Sequence, residues 1–78
     1  MKLDYIKEVE ISNRRKIMDI LCKCPKGLRK REISSFTGIW VGDLVKLIAD
    51  MEAEGILTHY TVRDMANMEW YDVFYIRG

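Results

Sequence analysis

The stretch REISSFTGIWVGDLVKLIADMEAEGIL, residues 31–57, has the pattern of a short helix, a tight turn and a longer helix. In the longer segment four apolar residues recur at i, i+3, i+4 and i+7, which predicts a helix over residues 40–54 with one apolar face. These residues are Leu44, Leu47, Ile48 and Met51. Gly38 suits the turn and Gly55 the helix end, because glycine adopts the left-handed backbone conformation without steric cost.

Upstream of this stretch, the same spacing predicts another helix. Its apolar positions are Ile17, Ile20, Leu21 and Cys24. Ser12 or Asn13 can cap its start, since both side chains accept a hydrogen bond from an unpaired amide, and Pro25 with Gly27 ends it. Residues 1–11 are therefore predicted to form an N-terminal arm or a separate short helix.

The shorter helix of the pair is predicted to start with Arg29 as the cap residue. Glu32 is then the third helical residue and Ile33 the fourth, which places Leu28 and Ile33 to form a hydrophobic staple. Arginine cannot accept the capping bond that serine accepts, so this cap is weak. Ile33 and Phe36 are expected to supply the core contacts of the helix.

Two C-terminal segments rich in β-branched and aromatic residues predict strands over residues 56–62 and 69–76. The segment between them, RDMANM, is predicted to be a hairpin loop. The aromatic residues of the second strand are expected mainly to build the sheet and core, and they are Trp70, Tyr71, Phe74 and Tyr75. The alternative is an exposed aromatic stripe on which single-stranded bases stack. His59 is expected on the strand surface.

This order of helix, helix, turn, helix, strand and strand resembles the winged-helix family over residues 12–77. The resemblance rests on LRKREISSFTG, on IWVGDLVKLIADMEAEGIL and on the hairpin. It implies an α+β fold, a small winged helix-turn-helix with a three-helix core and a C-terminal two-stranded β-hairpin wing, in a domain spanning residues 12–78. It also implies a transcriptional regulator that binds double-stranded DNA as a homodimer.

By this resemblance, the third helix enters the major groove and the hairpin touches the DNA beside it. The implied groove contacts are Ser34, Ser35, Trp40, Val41, Asp43 and Lys46. The implied phosphate and wing contacts are Arg29, Lys30, Arg31, Arg63 and Asn67. Further phosphate contacts are expected from Arg14, Arg15 and Lys26.

Charge is unevenly distributed along the chain. Residues 1–38 carry ten Lys or Arg and five acidic residues, whereas residues 39–78 carry three and seven, so the two parts have net charges of +5 and −4. The basic part suits DNA phosphates. The third helix, however, presents Gly42, Lys46, Ala49, Asp50 and Ala53 outward, with Asp43 beside them, and base edges are mostly read by Arg, Lys, Asn or Gln.

An alternative function therefore stays open. Gly42, Ala49 and Ala53 form a row of small residues against which a helix of a partner protein packs, with the acidic residues at its rim. Trp40 also has two interpretations. A helical wheel places it on the Leu47 side, which favours burial at the core edge, while the resemblance makes it a DNA contact.

Other function classes find little support in these 78 residues, which suffice for one small domain. We expect no catalytic activity, because there is no glycine-rich phosphate loop and no nucleophile–base pair, and we expect no metal or other cofactor. No apolar run reaches the roughly 18 residues of a membrane span, so a cytoplasmic protein without membrane contact is expected. Cys22 and Cys24 are predicted to be buried thiols in that reducing compartment.

Overall fold

The computed structural model describes the backbone of residues 2–78 and the side chains of residues 7–78. Three helices are followed by two strands, namely α1 (Lys2–Lys23), α2 (Lys30–Thr37), α3 (Val41–Ala53), β1 (Leu57–Asp64) and β2 (Glu69–Ile76). The protein is a small α+β domain with three helices and a C-terminal antiparallel hairpin, and this order is consistent with a winged-helix layout. The predicted fold class is confirmed.

The first helix is longer than predicted. It runs without interruption from Lys2 to Lys23, so it does not start at Ser12 or Asn13. The predicted arm or separate short helix over residues 1–11 is therefore wrong for residues 2–11, and Met1 lies outside the described residues. No proline or glycine occurs within this helix, and Ser or Asn inside a helix costs only about 0.5 kcal/mol relative to Ala. No helix of the described residues is long and apolar enough to cross a membrane.

The cap and turn of α2 follow the prediction. Arg29 is the cap residue, and its backbone N–H donates to Glu32 Oε1 at 3.0 Å. At the other end, Gly38 has φ 75° and its N–H donates to the Ser34 carbonyl at 2.9 Å. The short turn to α3 is thereby held in one conformation.

On α1 and α2, two side chains predicted to be buried are exposed. Phe36 is 64% exposed, because α2 has only eight residues and Ile39, just past the turn, fills the core instead at 5% exposure. Cys22 is exposed, while Cys24 is half-buried. Cys22 lies about 100° around the helix from the buried Leu21, which turns it away from the core stripe.

The core lies between the helices and the near end of the hairpin. The apolar face predicted for α3 is confirmed, since all four of its residues are buried. From the other elements, the most buried residues are Ile17, Leu21, Ile33, Leu57 and Phe74. The hairpin pairs from Leu57 with Ile76 to Asp64 with Glu69, so its far end extends beyond this core.

The loop of the hairpin, residues 65–68, is shorter than predicted because β1 continues to Asp64. The Asp64 carboxylate accepts bonds from the Ala66 N–H at 3.0 Å and from the Asn67 side-chain amide at 2.9 Å. These hydrogen bonds lower the pKa of Asp64, the largest contribution coming from the Asn67 side chain. A charged Asp64 therefore holds the loop closed.

A backbone bridge joins the segment before α2 to the hairpin. The Leu28 N–H donates to the Phe74 carbonyl at 2.9 Å, and the Phe74 N–H donates to the Leu28 carbonyl at 2.8 Å. Gly27 has φ 93°, and a Cβ there would lie 2.6 Å from the Phe74 oxygen, so only glycine allows this approach. The bridge fixes the start of α2 against β2.

Candidate nucleic-acid interface

A cleft of about 620 Å³ lies where the start of α2, the start of α3 and strand β2 meet. One side is cationic and the other aromatic, so we call it the basic–aromatic cleft. Its lining residues are Arg29, Lys30, Arg31, Val41, Trp70, Tyr71, Asp72 and Phe74. The Leu28–Phe74 bridge creates it by bringing the first turn of α2 beside the strand.

Aromatic rings position two of the cleft cations. The guanidinium carbon of Arg29 lies 4.0 Å from the ring centroid of Tyr71, and Lys30 Nζ lies 5.4 Å from that of Phe74. A cation over an aromatic face is attracted by the ring quadrupole at such distances. Arg29 and Lys30 are therefore held at the cleft, although they are only partly buried.

Three positive charges of the cleft lack an acidic partner. Among residues 7–78, neither Arg29, Lys30 nor Arg31 lies within ion-pair distance of a carboxylate. The carboxylate of the lining residue Asp72 accepts a bond from Thr61 Oγ1 at 2.9 Å. The cleft thus offers an anionic ligand three cations and one carboxylate, a net charge of +2.

Trp70 forms the outer aromatic wall of the cleft, and its predicted role in the core is wrong. It is 66% exposed because it lies on the part of β2 that extends beyond the helices, whereas Phe74, four residues on, is 2% exposed. Arg63 pairs with Trp70 across the hairpin, and its guanidinium carbon lies 5.5 Å from the indole centroid. Arg63, predicted on the wing, therefore lies beside the cleft.

Trp40 is exposed as well, at 73%, so the predicted burial is wrong and the interpretation as a surface contact stays open. The helical wheel failed because Trp40 is the cap residue of α3, with φ −60° and ψ 138°, and lies outside the helical repeat. Its ring covers Gly42, where an added Cβ would overlap the indole. Gly42 is therefore covered by Trp40 and does not extend the predicted row of small residues.

The remaining outward face of α3 is exposed, as predicted, and its acids lie towards α1. Asp43, Lys46 and Asp50 line a small groove of about 170 Å³ together with Glu10 and Asn13 of α1. Lys46 is the one cation that α3 contributes. The start of α3 at Val41, rather than its acidic side, borders the basic–aromatic cleft.

Two other acids at the end of α3 are engaged within the molecule. Arg14 contacts Glu54 through two hydrogen bonds of 2.5 and 3.2 Å, which raise the pKa of Arg14 and lower that of Glu54. Glu52 Oε2 lies 2.7 Å from His59 Nδ1. Arg14, predicted to contact phosphate, is therefore paired with the residue that caps α3.

The other residues predicted to contact DNA are scattered. Ser34 Oγ donates to the Ile39 carbonyl at 2.6 Å and so supports the turn, while Ser35 is exposed on α2. Arg15 is exposed on α1, and Asn67 holds the hairpin loop through Asp64. Lys26 is exposed.

The structure thus brings Arg29, Lys30, Arg31 and Val41 together in one site, with Arg63 at its edge. The sequence did not predict that Trp70, Tyr71 and Phe74 lie beside these cations as an aromatic wall. Only the pairing of Leu28 with Phe74 places this wall beside the cations, and no local pattern encodes that pairing. Comparison of the chain with protein-family models and with curated proteins finds no match.

Proposed function

We propose that the protein binds DNA and acts as a transcriptional regulator, with the basic–aromatic cleft as its contact to the phosphate backbone. The main support for this proposal is that three cations without an ion-pair partner lie beside the start of α3 and the hairpin. In this proposal Lys30 and Arg31 contact phosphates, and the start of α3 lies closest to the groove.

The chemistry of α3 supports binding that depends mainly on phosphates. Its outward face has Lys46 as the single residue of the types that match base edges. Cations that neutralise phosphates release counterions, so the affinity should fall steeply with salt. In this proposal the protein binds many DNA sequences with similar affinity, and Lys46 and Ser35 add limited specificity.

Homodimerisation belongs to the proposal, because one small module contacts few base pairs. The proposed location is the cytoplasm. The N-terminal half of α1 is a candidate dimer element. Val9 and Ile11 are 40% and 59% exposed there, and among the described side chains of α1, residues 7–23, the first one buried in the core is Ile17. A second copy covering Val9 and Ile11 would remove apolar surface from water.

A second candidate function is docking of a partner protein on α3. Val41 and Val45 are both 43% exposed and lie four residues apart, and Ala49 continues the row. This exposed apolar row favours a protein contact, and it replaces the predicted row that included Gly42. Substitution of Ala49 by Trp would disrupt such a complex and leave phosphate contacts at the cleft intact.

The test of DNA binding is a pair of charge reversals with a matched control. In the first variant Lys30 and Arg31 are replaced by Glu, and in the control Lys16 and Lys23 of α1 are replaced by Glu. Both variants change the net charge equally. Lys30 and Arg31 occupy the first turn of α2, where carboxylates favour the helix dipole, so their reversal should not unfold the protein.

Fluorescence anisotropy of a labelled random-sequence duplex, at about 50 mM salt, measures the affinity of each variant. The reversal at the cleft should weaken binding at least tenfold, and the control should bind nearly as well as the wild type. Equal loss in both variants would mean that binding depends on the net charge of the protein and not on the position of the cations in the cleft. Absence of binding by the wild type would reject DNA as the partner and direct attention to the apolar row of α3.

A further inference from the structure

We propose that the basic–aromatic cleft prefers DNA with an unpaired stretch beside the duplex, and that an unpaired base stacks on Trp70 while Lys30 and Arg31 contact its phosphates. This inference rests on the proposed DNA binding and names the form of DNA that the site takes. Four observations support it: an open indole, nearby cations without an ion-pair partner, a hydrogen-bonded strand that carries the indole, and few base-reading residues on α3.

The open indole is the first argument. Trp70 is 66% exposed at the edge of a cleft of about 620 Å³. In duplex DNA the bases turn only their edges towards the grooves, because their faces are covered by the neighbouring bases. An aromatic side chain can stack on a base face only where the base is unpaired or at an end.

Trp70 is also the ring that remains available. The face of Tyr71 is occupied by Arg29 at 4.0 Å, and Phe74 is buried with Lys30 at 5.4 Å from its ring. Arg63 approaches the indole of Trp70 at 5.5 Å, yet most of the indole stays open to solvent. A base on Trp70 would therefore lie at a cleft that Lys30 and Arg31 also line, with Arg63 beside the indole.

The platform beneath the indole is already formed. Trp70 lies within β2, in register with Arg63, and the loop beyond is closed by the bonds to Asp64. The bridge between Leu28 and Phe74 fixes this strand to the start of α2. The ring and the cations thus need little rearrangement to contact one nucleotide together.

The composition of α3 agrees with this mode of binding. With Lys46 as its one base-reading residue, the helix cannot supply the discrimination that bidentate Arg or Asn contacts provide. Stacking and phosphate contacts are tolerant of sequence, because every base has an aromatic face and a phosphate. The site should therefore select the form of the DNA rather than its sequence.

The test compares two labelled DNAs with equal numbers of phosphates, a blunt duplex and a shorter duplex with thymine overhangs at either strand end. The wild type should bind the overhang DNA about fivefold or more tightly than the blunt duplex, the effect of one stacked base. Trp70→Ala should lose this preference, so that its affinities for the two DNAs become equal. Trp70→Leu, which keeps apolar volume without an aromatic face, should behave like Trp70→Ala and guards against a folding defect.

Phe36→Ala is the matched control, because Phe36 is an equally exposed aromatic residue that does not line the cleft. It should retain the preference for overhang DNA. In a Trp40→Phe background, Trp70 is the sole tryptophan, and its fluorescence should be quenched by the overhang DNA and not by the blunt duplex.

Three other outcomes would each contradict one part of the proposal. Equal affinity for the two DNAs in the wild type rejects the preference and leaves the proposed function standing. A preference that persists in both Trp70 variants rejects the role of Trp70. Failure of the wild type to bind either DNA rejects the proposed function itself.

Discussion

The close approach of Gly27 to the hairpin allows a quantitative test of how the cleft is built. In Gly27→Ala the new Cβ would lie 2.6 Å from the Phe74 oxygen and 2.7 Å from Val73 Cγ1. The backbone there has φ 93°, a conformation that costs an alanine about 1–2 kcal/mol. To avoid the contact, the bridge between Leu28 and Phe74 must open, which loses two hydrogen bonds of about 1 kcal/mol each.

Gly55→Ala is the matched control, because Gly55 has φ 78° but no atom within 4 Å of the added Cβ. We expect losses in the free energy of unfolding of about 3–4 kcal/mol for Gly27→Ala and about 1–2 kcal/mol for Gly55→Ala. In a domain of this size the difference corresponds to a Tm lower by roughly 8–16 °C. Urea and thermal denaturation followed by circular dichroism measure both values.

The same substitution should weaken DNA binding, since the bridge holds Arg29 and Lys30 beside β2. Losses for the two variants that agree within about 0.5 kcal/mol, a difference usual for surface substitutions, would refute the structural role assigned to the bridge.

The other expected outcomes concern the core, an ion pair and the hairpin loop. Ile33→Ala should lower the free energy of unfolding by about 2–5 kcal/mol and Phe36→Ala by under about 1 kcal/mol, because only Ile33 is buried; equal losses in urea denaturation would contradict the exposure of Phe36. The bond from Arg14 lowers the pKa of Glu54, so this pair stabilises the fold above the ordinary carboxyl pKa and loses that effect as the pH falls through the lowered value. Glu54→Gln should therefore be slightly less stable than the wild type at neutral pH and equal to it in acid, as compared by denaturation across that range. Asn67→Ala should raise the pKa of Asp64 towards its ordinary value, as followed by an NMR titration of the carboxyl group; an unchanged pKa would exclude the Asn67 bond as its main cause.

Much of the fold follows from the local pattern of the sequence. Apolar spacing located the core face of α3, and glycine located its turn and end, because helical periodicity and left-handed backbone are local properties. The two strands were found by their β-branched and aromatic residues. The cap at Arg29 followed from the distance to Glu32 and Ile33.

The predictions from the sequence were wrong where they depended on contacts between residues distant in the chain. Ser12 and Asn13 suggested a helix start, but capping preference is weak against an uninterrupted helix. Trp40 was expected at the core edge from the helical wheel, and Trp70 in the sheet and core because large apolar residues usually are buried. Both lie at element ends beyond the core and are exposed. The basic side of the site was predicted from Arg29, Lys30 and Arg31, whereas its aromatic side depends on a long-range backbone pairing.

The most direct test of the central claim is the salt dependence of duplex affinity in the wild type, Arg31→Gln and Lys23→Gln. Anisotropy titrations between about 50 and 200 mM salt give the slope of log affinity against log salt, to which each phosphate contact contributes about 0.9. If Arg31 contacts phosphate, Arg31→Gln should reduce the magnitude of that slope by about 1, while Lys23→Gln leaves it unchanged. Identical slopes in all three proteins, or no binding by the wild type, would contradict the assignment of the basic–aromatic cleft as a DNA contact.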